Sequence, residues 1–276
     1  MGGVRIVEYL SDILKLITLI KAYESNSEYS EKDVRRTFFA KMANALRVYY
    51  LGHDFEFIAS KLQAQGNYPA EEVPHIENLG WILPVESNTR FLDTYHSILK
   101  LHLLNGSWVC FESSLDEIFK SVTSPDSREK IQLRKYHDIT KLLSKFEIDD
   151  QLDKRLRKLL FDKYIPANNK WNTVFRLNYP TDRDLKQDRI FLEFFASCRN
   201  CMHNNSISFK TAHFETRFGA FGFTEGVAIR FIDGNLSIKM VGELAEIYRA
   251  MCSAIDFRGE IVDPYSEQVE VPKINR

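Results

Sequence analysis

The sequence predicts a mainly α-helical protein, built as an antiparallel bundle of helices with one small β-hairpin. Apolar residues recur at steps of three and four over most of the chain, which is the period of an amphipathic helix. The 276 residues include 12 Gly and 8 Pro, so long stretches run without a helix breaker. The 20 Phe and 12 Tyr residues supply large side chains that pack helix against helix.

The first 85 residues are predicted to form an N-terminal helical extension. Periodicity predicts a helix over residues 4–24, and a capping signature at Ser30-x-x-Asp33 precedes a second helix over about residues 31–50. A short helix is expected at about 54–65. Glycine and proline punctuate the chain after it, which predicts irregular structure and the main internal boundary at Gly66, Pro69, Pro74, Gly80 and Pro84.

Residues 86–260 are predicted to form the bundle domain itself. Helices are expected at about 88–104 and 108–122, and the intervening Asn105-Gly106-Ser107 predicts a tight turn. Two long amphipathic helices joined by a short turn form an antiparallel hairpin. Residues 128–163 are helical in pattern but highly charged, which is typical of solvated outer helices.

A central helix is predicted over residues 184–205, after a loop over residues 165–183. One side of this helix is apolar and largely aromatic, with members at steps of four, three and four: Phe191, Phe195, Cys198 and Met202. This spacing predicts that the helix packs through that side into the core.

After the central helix the pattern changes to that of strands, and Ile207, Phe209, Phe214, Thr216 and Phe218 indicate an extended segment. Residues 227–232 and 236–240 are joined by Asp233-Gly234-Asn235, which predicts the β-hairpin. A final amphipathic helix is predicted over residues 241–257. Residues 261–276 are polar and are expected to form a loose tail.

Charge and cysteine content limit the environment and the partners. The formal net charge of −1 gives no overall basic field, so any nucleic-acid binding has to be local. The start of the chain is amphipathic and carries acidic residues, which fits neither a secretory signal nor a membrane span. We therefore expect a cytoplasmic protein whose four cysteines are free thiols: Cys110, Cys198, Cys201 and Cys252.

The strongest functional signal is Arg199-Asn200-Cys201-Met202-His203. Successive helical residues turn by about 100°, so Arg199 and His203 project from one side of the helix, one turn apart. A guanidinium keeps its charge, whereas an imidazole exchanges protons near neutral pH. The pair suits a phosphodiester, with Arg199 holding the anion and His203 moving protons.

Two plainer interpretations of this segment stay open. Arg199 and His203 also fit an ordinary pair on a helix surface, with the arginine in a salt bridge. Cys198-x-x-Cys201 suggests zinc, but a structural zinc site needs four ligands and the other two cysteines are isolated in the sequence. Packing of small, soft side chains in the core is the simpler expectation for these cysteines.

The segment resembles the HEPN superfamily (higher eukaryotes and prokaryotes nucleotide-binding domains). The resemblance lies in Arg199-Asn200, the nearby His203, and Asn204-Asn205, late on a helix that follows an aromatic run. A small hairpin and a closing helix follow in the same order, and the resemblance spans roughly residues 86–260. The family's usual motif separates its Arg and His by more than the three residues found here.

The resemblance implies a commonly dimeric helical bundle that cleaves RNA without a metal ion or other cofactor, using the ribose 2′-OH as nucleophile. Arg199, Asn200 and His203 would form the active site. Glu112, on the predicted helix 108–122, would position Arg199 or His203, although an exposed carboxylate on a helix flank fits the sequence equally well. The implied partners are RNA, a second copy that completes a composite active site, and an antitoxin or phage-defence protein, with no membrane.

A second functional hypothesis is a catalytically degenerate HEPN-like module that serves as a dimerisation or RNA-binding scaffold. The shortened spacing between Arg199 and His203 and the near-neutral net charge favour the scaffold. The Arg-Asn pair and the His-Asn-Asn run favour the endoribonuclease.

Overall fold

The computed structural model describes residues 2–65, 89–143, 150–161, 164–204, 206–228, 234–255 and 259–266. Within these ranges the chain is mainly helical and contains one two-stranded antiparallel sheet, which confirms the predicted fold class at that level. The elements in chain order are α1 (Gly2–Ser25), α2 (Val34–Gln65), α3 (Thr89–Val122), α4 (Pro125–Gln132), α5 (Arg134–Leu142), α6 (Asp150–Leu160), α7 (Ala167–Asn178), α8 (Leu185–His203), β1 (Ala212–Thr216), β2 (Gly219–Phe223) and α9 (Gly234–Ser253).

Helix α1 matches its prediction, but α2 is one continuous helix where the sequence predicted two. The predicted break falls beside Gly52. Tyr49 and His53 flank this glycine, and both rings pack edge-on against Tyr9 of α1, with centroids 6.4 and 5.3 Å away. These contacts hold both sides of Gly52 in one helix. The irregular segment predicted over 66–84 lies outside the described residues.

Helix α3 is the central element and packs against α2, α7, α8 and α9. The predicted turn at Asn105-Gly106-Ser107, and with it the helix hairpin, is wrong because α3 runs straight through these residues. A helical glycine costs about 1 kcal/mol relative to alanine. The burial of large side chains on both sides of the glycine outweighs that cost: Leu103, Leu104, Trp108 and Phe111.

The outer helices behave as predicted. Helices α4, α5 and α6 contain no buried residue, and Leu133, between α4 and α5, is buried. Ser124 caps α4 by accepting a hydrogen bond from the Ser127 backbone N–H, and Pro125 occupies the first turn.

The loop predicted over 165–183 is wrong in its first part, which forms α7. Trp171, Val174 and Phe175 are buried on one side of that helix, at steps of three and one. The indole ring of Trp171 meets that of Trp108 on α3 edge-on, with centroids 6.1 Å apart. Polar residues between these positions hide the apolar period in the sequence.

Helix α8 matches the predicted central helix closely. Asp184 caps its start, because the carboxylate accepts hydrogen bonds from the backbone N–H groups of Lys186 and Gln187. Phe191, Phe195 and Cys198 of the predicted apolar stripe are buried, and Met202 is half-buried. The ring of Phe195 stacks on Trp108 at 5.5 Å, which fixes α8 against α3.

The β-hairpin exists but at another place than predicted. Strands β1 and β2 pair from Ala212 opposite Phe223 to Thr216 opposite Gly219, and Gly219 has the positive φ of 121° that the turn requires. Of the residues predicted as strands, 236–240 are helical and begin α9, while 229–232 lie outside the described residues. Short apolar runs fit both a strand and a buried helix. Residues 236–240 form a helix because their apolar side chains are buried when they lie on α9.

The core joins all the long helices, including α1 and α2, into one buried cluster. Phe38 of α2 stacks on Tyr248 of α9 at 3.7 Å, and Tyr248 also meets Phe111 of α3 edge-on. The tail predicted after residue 260 begins with a tightly held segment. Its Ile261 is buried, and the backbone N–H of Ile261 donates to Asp33, at the start of α2.

Within the described ranges, no helix is both long enough and apolar enough to cross a lipid bilayer.

Candidate functional site

Helix α8 turns its aromatic side to the core and a polar stripe to a cavity. The stripe consists of Glu193, Ala196, Ser197 and Asn200, which recur at helical spacing, with Arg199 beside them. The cavity has a volume of about 370 Å³. It is lined by Trp108, Glu112, Tyr164, Pro166, Ala167, Asn168, Trp171, Glu193, Ala196, Ser197, Arg199, Asn200, Lys210 and Phe214.

Three of the four predicted site residues therefore meet at this cavity. Arg199, Asn200 and Glu112 all line it, although Glu112 lies on α3 and the other two on α8. The Arg199 Nη2 atom lies 3.8 Å from Glu112 Oε2, and Arg199 Nη1 donates to Asn200 Oδ1 at 3.2 Å. The stacking of Phe195 on Trp108 brings α8 and α3 to the distance at which these polar side chains meet.

The guanidinium of Arg199 has spare hydrogen-bonding capacity. Among the described residues its one hydrogen-bond acceptor is Asn200, because the 3.8 Å separation from Glu112 is an ion pair without a hydrogen bond. The Nε atom of Arg199 is shielded from solvent and has no acceptor within the described ranges. Since a guanidinium offers five N–H donors, the remaining three, on Nη1 and Nη2, stay available to an anionic ligand in the cavity.

Glu112 is held from its other side by Tyr164. The Tyr164 hydroxyl donates to Glu112 Oε1 at 2.5 Å, while Oε2 faces Arg199. Burial, together with the hydrogen bond to this carboxylate, raises the pKa of Tyr164 to about 12. Tyr164 is therefore a protonated hydrogen-bond donor at neutral pH, and it fixes the rotamer of Glu112 that faces the arginine.

Lys170 packs against the ring of Tyr164 and pairs with Asp116. Its Nζ atom lies 4.8 Å from the centre of the Tyr164 ring and 2.7 Å from Asp116 Oδ1, one helical turn after Glu112 on α3. A connected chain of charges and rings thus runs from Asp116, behind the cavity, to Arg199 at its wall. Such a wall holds its side chains in fixed positions before a ligand arrives.

His203 is placed differently from the other predicted site residues. It is exposed at the last residue of α8, and it is not among the described residues that line the cavity. The turn after it is closed by Asn204, whose side-chain amide donates to the Ile207 carbonyl at 3.0 Å. Ser206 follows with a positive φ of 64°. Asn204 therefore directs the chain away after His203, and Asn205 lies outside the described residues.

The four cysteines are free thiols, and Cys198, Cys201 and Cys252 are buried. Burial is the main cause that raises the pKa of Cys198 above its usual value, so this thiol stays protonated and unreactive. Across the described part of the chain, no group of three His, Cys, Asp or Glu side chains is placed to hold a metal ion.

The sequence did not indicate several residues of the site. Tyr164 directly precedes the predicted loop and Trp171 lies in it. Lys210 and Phe214 lie in a segment that the sequence indicated as extended, without any sign of a role in a site. The spacing of Trp171, Val174 and Phe175 is the one signal that could have revealed α7, and with it this wall of the cavity.

A second polar cluster lies at the opposite end of α8. Asp188 is completely buried and accepts hydrogen bonds from Tyr179, from Arg183 at 2.8 Å and from Arg217 at 2.5 Å. Both arginines also donate to Glu243 of α9, at 2.5 and 2.7 Å. The cluster ties the loop before α8, the hairpin turn and α9 together, and its charges are mutually paired.

Comparison of the chain with protein families, with curated proteins and with solved structures finds no match.

Proposed function

We propose that this chain is a HEPN-like endoribonuclease that cleaves single-stranded RNA without a metal ion. The observation that carries the proposal is the Arg199 guanidinium, which lines a cavity with most of its N–H donors unengaged by the described residues. A planar guanidinium binds a phosphodiester through two parallel hydrogen bonds, which an ammonium group cannot reproduce. Glu112 and Tyr164 hold this guanidinium ready for the phosphate.

In the proposed reaction, groups on α8 stabilise charge and transfer protons. The ribose 2′-oxygen attacks the phosphorus and loses its proton to a base, the bond to the 5′-oxygen breaks, and an acid protonates that leaving oxygen. The products are a 2′,3′-cyclic phosphate and a 5′-hydroxyl. Arg199 stabilises the charge that develops on the phosphorane, and such electrostatic stabilisation is worth about 3–4 kcal/mol in other enzymes. His203 is assigned the proton transfers, because an imidazole serves both as general acid and as general base.

The exposed position of His203 supports a site completed by a second copy of the chain. His203 lies one helical turn beyond Arg199 but outside the cavity lining, so its imidazole is accessible to another molecule. In a homodimer built through the C-terminal end of α8, the His203 of each copy serves as base or acid beside the phosphate that Arg199 holds. Light scattering at micromolar concentration should give the mass of a dimer, and a monomer would remove the composite site.

The direct test is cleavage of a mixed-sequence single-stranded RNA by the purified protein. We expect products with 2′,3′-cyclic phosphate ends, no effect of excess EDTA, and no cleavage of DNA of the same sequence, which lacks the attacking hydroxyl. Cleavage of the DNA, or loss of activity with EDTA, would overturn the mechanism.

A second candidate function is an RNA-binding scaffold that does not cleave. The position of His203 outside the cavity lining favours it, because a phosphate held by Arg199 then lacks a proton donor from the same chain. Retention of RNA in a filter-binding assay, without cleavage and without effect of His203→Ala, would establish the scaffold in place of the nuclease.

A further inference from the structure

We propose that the cavity beside Arg199 is a base-binding subsite that selects an unpaired guanine, so that the RNA is bound next to a guanosine. This inference rests on the proposed function, because it takes the bound phosphate at Arg199 to belong to RNA. Proteins read single-stranded RNA by stacking splayed bases on aromatic side chains and by hydrogen bonding to their edges. The cavity offers both kinds of contact within one enclosure.

The aromatic surface comes from three elements of the chain. Trp171 of α7 and Phe214 of β1 line the cavity, and the Tyr164 ring stands at its rim with 58% of the residue exposed. Lys170 beneath the ring and the hydrogen bond to Glu112 hold Tyr164 in place before a ligand arrives. Stacking of one base on such a ring is worth about 1–3 kcal/mol. A volume of about 370 Å³ also fits small-ligand sites, which span about 300–1,000 Å³.

The acceptors of the cavity favour guanine over the other bases. Glu193 lines the cavity, is exposed, and forms no ion pair with a described residue, so its carboxylate is available to a ligand. A carboxylate accepts two hydrogen bonds side by side. Guanine presents adjacent N–H donors at N1 and N2, whereas adenine and cytosine present one amino group and uracil presents one ring N–H. Glu193 is thus the specificity-determining residue of the proposed subsite.

The donors of the cavity fit the other edge of the same base. Lys210 lines the cavity and carries an ammonium group with three N–H donors. Guanine carries two acceptors, O6 and N7, on the edge away from its amino group. The Lys210 ammonium group is the donor that the proposed subsite offers to them.

Titration with nucleoside monophosphates tests the subsite without requiring RNA cleavage. The readout is quenching of tryptophan fluorescence, since Trp108 and Trp171 both line the cavity. We expect 5′-GMP to bind at least about tenfold more tightly than AMP, CMP or UMP, because a good carboxylate pair to a base discriminates by about that factor or more. Inosine monophosphate, which lacks the N2 amino group, should lose most of this advantage.

Variants separate recognition of the base from recognition of the phosphate. Glu193→Gln should weaken GMP binding about tenfold and leave AMP binding unchanged, whereas Arg199→Ala should weaken all four nucleotides alike. Glu28→Gln, which changes a carboxylate at a different cavity of the molecule, is the matched control and should have no effect. Lys210→Met should reduce the preference for GMP, because it removes the donor to O6 and N7, and its thermal unfolding shows whether the fold survives the change.

Failure of the subsite and failure of the proposed function have different signatures. Equal affinity for GMP and UMP, or unchanged GMP binding in Glu193→Gln, overturns the guanine subsite even when the protein cleaves RNA. Selective GMP binding that depends on Glu193 supports the subsite even when no RNA is cleaved, and the absence of cleavage then counts against the nuclease alone.

Discussion

The two ends of helix α8 carry similar charged residues. These residues are mutually hydrogen-bonded at one end and have few partners among the described residues at the other. At the N-terminal end, Asp188 is fully buried, and Arg183 and Arg217 divide their donors between it and Glu243. At the C-terminal end, Arg199 has one hydrogen bond to Asn200 and an acid 3.8 Å away, and it borders a cavity. The same residue types are locked into the fold at one end and left available at the other.

The difference shows how to recognise a site from the structure alone. A buried ion network whose members are mutually paired holds elements together and has little capacity left for a ligand. An arginine at a cavity whose N–H donors are not all bonded within the fold has hydrogen-bonding capacity left for a ligand. Positively charged, prepositioned donors of this kind bind anions. The end of α8 with Arg199 is therefore the one to test for function, and the end with Asp188 the one to test for stability.

The largest expected effect is on stability at the Asp188 end. Asp188→Ala should lower the free energy of unfolding by about 3–5 kcal/mol, because it leaves two arginines partly buried without their shared acceptor. Urea unfolding followed by circular dichroism measures the change. Asp138→Ala, which removes an exposed carboxylate from α5, is the control and should stay within about 0.5 kcal/mol of the wild type. A similar small loss for Asp188→Ala would mean that the network is not structural.

The next effect is on activity at the Arg199 end. Arg199→Ala should lower the rate of RNA cleavage by about 10²-fold or more, while unfolding free energy changes little because few contacts of the guanidinium are lost. Arg199→Lys should restore little activity, since an ammonium lacks the two-pronged contact. His203→Ala should lower the rate by about 10²-fold as well, without dissociating the proposed homodimer.

Arg155→Ala is the matched control for these changes, because it removes an exposed arginine of the outer helix α6. It should retain the wild-type rate of cleavage. A large loss of stability in Arg199→Ala, or equal losses of activity in Arg155→Ala and Arg199→Ala, would erase the contrast between the two ends of α8.

The sequence predicted the parts of the fold that depend on local periodicity. Helices α1 and α8 and the solvated outer helices follow from apolar spacing and charge alone. The errors at Gly52 and Gly106 share one cause, since both glycines lie where a helix is held by distant partners that the local sequence does not show. The misplaced hairpin arose because residues 236–240 alternate like a strand but are buried on a helix.

The candidate site was predictable only along one helix. Arg199, Asn200 and His203 were found through their spacing, and Glu112 through its isolation on an apolar helix and the family resemblance. The meeting of Arg199, Asn200 and Glu112 at a cavity depends on the approach of α3 to α8, and no spacing in the sequence encodes it. Trp171 and Tyr164 were missed because contacts between distant segments, rather than a motif, bring them to the site.

A smaller effect on the rate of cleavage is expected when the hydrogen bond that holds Glu112 is removed. Tyr164→Phe removes the hydrogen bond to Glu112 and should lower cleavage by about two- to tenfold, the equivalent of one hydrogen bond of about 0.5–1.5 kcal/mol. Steady-state kinetics on a short RNA measures this change. An unchanged rate would show that Glu112 holds Arg199 without help from Tyr164.

The Tyr164 hydroxyl also makes the free energy of unfolding depend on pH. Because the pKa of Tyr164 is raised to about 12 in the folded chain, from a usual value of 10.0, its contribution to stability is fully present below pH 10. It is lost as the pH rises through about 12. The difference in unfolding free energy between wild type and Tyr164→Phe should therefore shrink between pH 10 and pH 12, as measured by urea unfolding at each pH. A difference that grows over this range would contradict the raised pKa.

The smallest expected effect tests the helix that carries Glu112 to Arg199. Helix α3 reaches the cavity because it continues through Gly106, where an added Cβ would meet nothing within 4 Å. Gly106→Ala should therefore raise the free energy of unfolding by about 0.5–1 kcal/mol and leave RNA binding unchanged. Gly219→Ala is the contrasting control, because its φ of 121° disfavours any side chain and the variant should be destabilised. If Gly106→Ala destabilises the protein instead, the chain turns at residues 105–107 as the sequence alone suggested, and Glu112 loses its place opposite Arg199.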